Sequence, residues 1–147
     1  MSNDAYSVSI ITPAAAAGAA YAVFRSTTTR RLRVKEVAFF NNAATASSVG
    51  LVRTATTGTA STTTAGIAHD MADVAGAGTV DSAWVAAATI GTNYFRRMVL
   101  PATAANGVIW TFSDPVIVDN SATGGLAIWN FGAALASALS LSVSWEE

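Results

Sequence analysis

Cysteine is absent from the 147 residues, which excludes a disulfide framework and thiolate-based zinc sites and leaves stability to packing and assembly. Charge is scarce too: Asp, Glu, Lys and Arg make up 12% of the chain, about half of the ~25% usual for soluble domains. The formal net charge is −1. A surface built from Ala, Thr, Ser, Asn and Gly has little repulsion to keep copies apart. It suits a protein packed against itself or a large partner better than a sparse solvated surface, because charge is depleted from buried interface cores. Long apolar runs are missing as well. A helical membrane span needs about 20 consecutive apolar residues, whereas the best candidate, Pro13 to Phe24, is short, alanine-dominated and broken by Gly18. No membrane association is expected. Met1-Ser2-Asn3-Asp4 lacks the basic and apolar regions of a secretory signal, so synthesis in the cytoplasm is expected.

What is present is a period of two. Ala138 to Glu146 alternates without a slip, with Leu139, Leu141, Val143 and Trp145 on one face and Ser140, Ser142, Ser144 and Glu146 on the other, the signature of a half-buried strand. Tyr6 to Ile11 repeats the pattern and ends at Thr12-Pro13; Ala19 to Arg25 does so with Tyr21, Val23 and Arg25 on one face. The intervening Ala14 to Gly18 reads as a connection, with a helical turn as the alternative because alanine is the best helix former. Leu32 to Asn41 shifts its apolar parity after Glu36, which predicts a β-bulge or a passage between sheets. Val49 to Arg53 is a further strand. Ala83 to Ile90 and Tyr94 to Leu100 read as a hairpin turning at Gly91-Thr92-Asn93. Gly107 to Phe112, Val116 to Asp119 and Leu126 to Phe131 complete the set, with turns at Ser113-Asp114-Pro115 and Asn120 to Gly125.

Eight to ten strands without intervening helices predict an all-β fold, a two-sheet antiparallel β-sandwich that is jelly-roll-like. Residues 1–147 suit one domain, which at this size buries roughly 68–70% of the unfolded surface. Thr54 to Ala68 is low-complexity Thr/Ala/Gly sequence with few large side chains. Together with the irregular His69 to Thr79 it reads as an arm or loop around 54–80 with one edge strand, and such an arm orders by adding to a neighbouring sheet.

Chemistry is thin. His69-Asp70-Met71-Ala72-Asp73 sets the sole histidine beside two carboxylates, residue types that bind cations or pass protons. The ligand count and spacing of an established site are lacking, so the stretch reads as a wet loop. There is no Gly-x-Ser-x-Gly and no second histidine to supply a nucleophile or a separate acid and base. Asp114 and Asp119 read as turn caps. No enzyme activity, cofactor or metal is expected. The basic residues are Arg25, Arg30, Arg31, Arg33 and Lys35, then Arg53 and the pair Arg96-Arg97. Alternating basic residues near aromatics can bind nucleic acid, but the net acidity and the use of basic edges against stray pairing favour salt bridges to a partner subunit. Trp84, Trp110, Trp129 and Trp145 suit sugar stacking or core packing, and burial is the larger gain for the three that lie in apolar strands.

The stretch Arg33-Val34-Lys35-Glu36-Val37-Ala38-Phe39-Phe40-Asn41-Asn42 resembles a group of small structural proteins of tailed bacteriophages. The similarity continues through Gly50 to Thr59 and Leu100 to Phe112 and ends at Trp145-Glu146-Glu147, so it spans most of the chain from Leu32 onward. It implies a jelly-roll virion component, a head decoration or cement protein that sits on the major capsid protein as a trimer. Tail, collar and fibre parts are also built from such proteins, and a glycan-binding adhesin is the rival reading. An adhesin needs two exposed aromatics on one face; a polysaccharide-degrading enzyme needs paired carboxylates roughly 5–10 Å apart. For the assembly reading the expected interface residues are Arg30, Arg31, Arg53, Thr56, Thr57, Thr59, Arg96 and Arg97, with the arginines as rim contacts to carboxylates.

Overall fold

The computed structural model describes residues 4–147. In chain order the strands are β1 (Ala5–Ile11), β2 (Ala19–Ser26), β3 (Leu32–Asn41), β4 (Ser47–Thr56), β5 (Thr59–Ala65), β6 (Ile67–Ala68), β7 (Gly78–Ala86), β8 (Thr89–Leu100), β9 (Gly107–Val118), β10 (Leu126–Asn130) and β11 (Leu139–Glu146). They form a five-stranded sheet ordered β6-β1-β11-β3-β9 and a six-stranded sheet ordered β5-β7-β2-β10-β4-β8. All pairings are antiparallel. With β5 to β7 set aside, β1-β11-β3-β9 faces β2-β10-β4-β8. That is the eight-stranded jelly roll the sequence pattern predicts.

The core lies between the sheets and draws on alternate residues of the strands. Leu139, Leu141, Val143 and Trp145 are buried in it, while the intervening serines of β11 are half-buried. Trp145 stacks on Tyr6 at a ring-centroid distance of 5.8 Å and meets Phe24 at 4.8 Å. Gly66 and Gly78 lie over the indole so closely that a Cβ on either would overlap it. A second, smaller cluster of Val23, Val52, Ala127 and Trp129 forms on the outer face of the six-stranded sheet.

The parity shift in β3 is a bulge, not a change of sheet. Glu36 lies opposite Ser144 and Val34 opposite Trp145, so Lys35 is the extra residue. In β2 the shared face of Tyr21, Val23 and Arg25 does not form. Ala22 pairs with Ile128 and Ala20 with Trp129, leaving Tyr21 as a bulge residue. The bulge turns Tyr21 into the inter-sheet core with Ala22 and Phe24, and Val23 into the outer cluster. The connection at 14–18 does not coil into a helical turn. Reciprocal bonds between Ala15 and Ala136 (3.1 and 2.9 Å) engage its backbone instead, and the buried Asn130 amide donates to Ala15 O and Ala16 O at 3.0 and 3.1 Å.

Two turn signals lie inside strands. Between the pairs Val52↔Tyr94 and Thr54↔Ile90, β8 takes four steps against two on β4. Gly91-Thr92-Asn93 is therefore a bulge within β8, and the chain runs on through 87–88 in the same register, from Ala86 opposite Thr59 to Thr89 opposite Thr56. The predicted hairpin does not exist, because β7 pairs with β5 and β2 while β8 pairs with β4. Likewise β9 runs from Gly107 to Val118, and residues 112–115 bulge between the pairs Glu36↔Thr111 and Val34↔Val116. Pro115 there needs no ladder hydrogen bond.

The Thr/Ala/Gly segment is not a free arm. Thr56 lies opposite Thr89 and Thr59 opposite Ala86, so β4-β5 and β7-β8 make one long ribbon. Gly58 turns at its neck with φ 70° and approaches Ala86 O too closely for any side chain. The ribbon leaves the sheet beside β4 and rejoins it where β7 pairs with β2. β5 ends as the edge of one sheet, and two residues on, β6 pairs with β1 at the edge of the other. The expected edge strand is β5, and its pairing has a physical source. Strong β-branching supplies a strand without a core of its own, and the same chain offers β7 as the template.

Candidate assembly surface

The basic residues divide into two sets. Arg25 pairs with Asp81, Arg30 with Glu147, and Arg33 and Lys35 with Glu146. The Arg30 bond, 3.0 Å from Nη1 to Oε2, belongs to a network in which the buried Glu147 carboxylate also accepts from Ala77 N (2.5 Å) and Trp145 Nε1 (3.2 Å). Arg30 thus has a carboxylate partner within the chain, while its side chain stays 54% exposed.

Arg31, Arg53, Arg96 and Arg97 form no ion pair among the described residues. Three of them sit over aromatic rings: Arg53 over Phe95 (5.4 Å), Arg96 over Phe112 (5.6 Å), and Arg97 over Tyr94 and Phe131 (5.2 and 5.4 Å). Ring faces attract the guanidinium through their quadrupole, a contact that uses none of the N–H donors a carboxylate would take. Arg53 Nη1 also donates to Ile117 O at 2.8 Å. Gly50 makes the Tyr94–Arg97 stack possible, since a Cβ there would strike the Tyr94 ring.

These arginines flank the free edges of both sheets, β8 and β9. The Arg96–Phe112 contact and the short 101–106 connection keep the two edges together. Both edge strands carry exposed apolar side chains: Phe95 (42%), Met98 (38%) and Val99 (63%) on β8, and Ile109 (55%) and Ile117 (37%) on β9. Aromatic residues, Met and Arg are the types enriched in protein interfaces. Phe95, Met98 and Val99 are not singled out in the sequence, because Tyr94 to Leu100 reads as an ordinary strand. The signal was there: Tyr94-Phe95-Arg96-Arg97-Met98-Val99-Leu100 has apolar and basic pairs where a half-buried strand alternates.

At the end of the sandwich Arg31 and Arg53 line a depression of about 450 Å³ with Asp119, Ser121 and Thr123. The Asp119 carboxyl lies below its ordinary range because the Ser121 hydroxyl and backbone N–H donate to it, at 2.5 and 2.9 Å, with Arg31 and Arg53 adding to the effect. A depressed carboxyl favours the folded loop above the ordinary carboxylate pKa and loses that contribution as pH falls through the lowered value. In an NMR titration, Ser121→Ala should move Asp119 back upward by more than Arg31→Ala does. The reverse order would show that charge, not hydrogen bonding, dominates there.

The threonines of the expected interface sit elsewhere. Thr56 and Thr89 share a 2.8 Å hydroxyl bond at the ribbon neck, Thr57 packs beside Gly125, and Thr59 begins β5. The structure therefore brings Arg53, Arg96 and Arg97 to one edge with Arg31 nearby, and places Thr56, Thr57 and Thr59 on the ribbon. Of the four tryptophans, Trp110, Trp129 and Trp145 are buried and Trp84 is half-buried. His69 is exposed with its Nε2 3.1 Å from Ser7 Oγ, and Asp70 accepts from Ala72 N at 2.9 Å. Among the described residues no three His, Asp or Glu side chains converge. Comparison with protein-family models, curated proteins and solved structures finds no match to this chain.

Proposed function

We propose that the chain is a structural protein of a tailed-bacteriophage particle, a head decoration or cement protein that acts as a homotrimer and touches the major capsid protein. The observation that carries this reading is the β8/β9 edge, where exposed apolar side chains accompany arginines that have no ion-pair partner among the described residues. An edge of this composition gains from being covered. The jelly-roll order and the resemblance from Leu32 onward support a shell component. Its location is the virion, after synthesis in the host cytoplasm.

A second reading, a tail, collar or fibre protein that binds glycans, is favoured by one feature. A depression of about 370 Å³ is lined by Tyr94 and Phe95 with Arg53, Thr92 and Asn93, aromatic faces beside hydrogen-bonding groups. The test is mass spectrometry and cryo-electron microscopy of virions purified from a host that carries the gene. Many copies on the head are expected. Absence from the particle would overturn the virion reading, whereas a tail-tip location with binding to a polysaccharide array would favour the second.

A further inference from the structure

We infer that copies of this chain join head to tail, with the β8/β9 edge of one against the β5/β6 side and the 69–74 loop of the next. This deepens the assembly reading above and rests on it. The two sheets order their strands in the same sense, so β5 and β6 close one side of the sandwich while β8 and β9 form the opposite side. Each side has an exposed apolar patch. On the first, Ile67 (73%), Met71 (100%) and Val74 (63%) stand out; on the second, the residues described above.

Their charges are opposite. The first side carries Asp70 and Asp73, neither of them in an ion pair among the described residues, and the second carries Arg96 and Arg97. β5, Thr59-Ala-Ser-Thr-Thr-Thr-Ala65, has neither charge nor proline to block pairing. It is also the free edge of the sheet whose other free edge is β8. A two-fold contact of β8/β9 with its own copy would set Arg96 and Arg97 against like charges, which disfavours it. A head-to-tail contact sets them against carboxylates instead. Because the two surfaces differ, the contact is heterologous, and repetition closes a ring when the rotation between neighbours allows it.

The test uses the full chain with two charge-reversal variants, Arg96→Glu with Arg97→Glu and Asp70→Arg with Asp73→Arg, followed by analytical ultracentrifugation. Wild type should sediment as a closed oligomer. Each variant should remain folded by circular dichroism and associate at least about tenfold more weakly, and an equimolar mixture should recover association. A chain carrying all four reversals, which swaps the charges across the junction, should assemble by itself. The inference is overturned if wild type is monomeric, if the Asp variant assembles like wild type while the Arg variant does not, or if neither the mixture nor the four-site chain recovers. Virion occupancy is read separately. A chain found on heads but monomeric in solution would sink this junction and leave the virion role standing. A head-to-tail oligomer absent from virions would do the opposite.

Discussion

Replacing Trp145 with alanine should lower the unfolding free energy by about 3–5 kcal/mol, the range for deleting a large buried aromatic. The side chain is 1% exposed and touches both sheets through Tyr6 on β1 and Phe24 on β2. It also supports Gly66 and Gly78, where the chain passes from one sheet edge to the other and starts back along β7. Its loss therefore leaves a cavity under the place that fixes β5 and β6. Urea denaturation of the wild type and Trp145→Ala measures the effect. A change below about 1 kcal/mol would mean that the core collapses around the void, a degree of relaxation that such sites seldom show.

A second large effect is expected at Asp81, a carboxylate that is 2% exposed on β7. It accepts from Arg25 Nε and from Thr63 Oγ1, the latter at 2.8 Å. Those bonds cross from β2 through β7 to β5, so one side chain ties the edge strand to the body of the sheet. Asp81→Ala should cost about 2–3 kcal/mol, less than the 3–5 kcal/mol for breaking a fully buried pair. The discount follows from Arg25, whose side chain is 32% exposed and keeps some hydration once unpaired. Arg25→Met combined with Asp81→Leu should recover most of that loss, since apolar replacement of a buried pair is often neutral. Chemical denaturation of the single and double variants decides it; a double variant as unstable as Asp81→Ala would show that specific hydrogen bonding, not the burial of charge, sets the cost. Hydrogen exchange in β5 should rise with Asp81→Ala.

Local pattern and composition determined part of this molecule. The unbroken alternation of β11 fixed which face is buried, because side chains of an extended strand must alternate. The parity slip after Glu36 marked the Lys35 bulge for the same reason. Absent cysteine left stability without disulfides, to be supplied by packing. Pairing was another matter. Ala5 lies opposite Glu146 and Leu32 opposite Val118, and nothing local in either strand names a partner so far along the chain. Gly91-Thr92-Asn93 and Ser113-Asp114-Pro115 carry turn chemistry, but bulges use the same residues, and only the neighbouring strand decides between them. The division of the arginines was equally hidden. Arg30 and Arg31 are adjacent in sequence, yet one meets the Glu147 carboxylate and the other faces the depression beside Arg53. Ion pairing depends on which groups the fold brings within a few ångströms, so the tertiary structure alone left Arg96 and Arg97 on an exposed edge strand with no ion pair among the described residues.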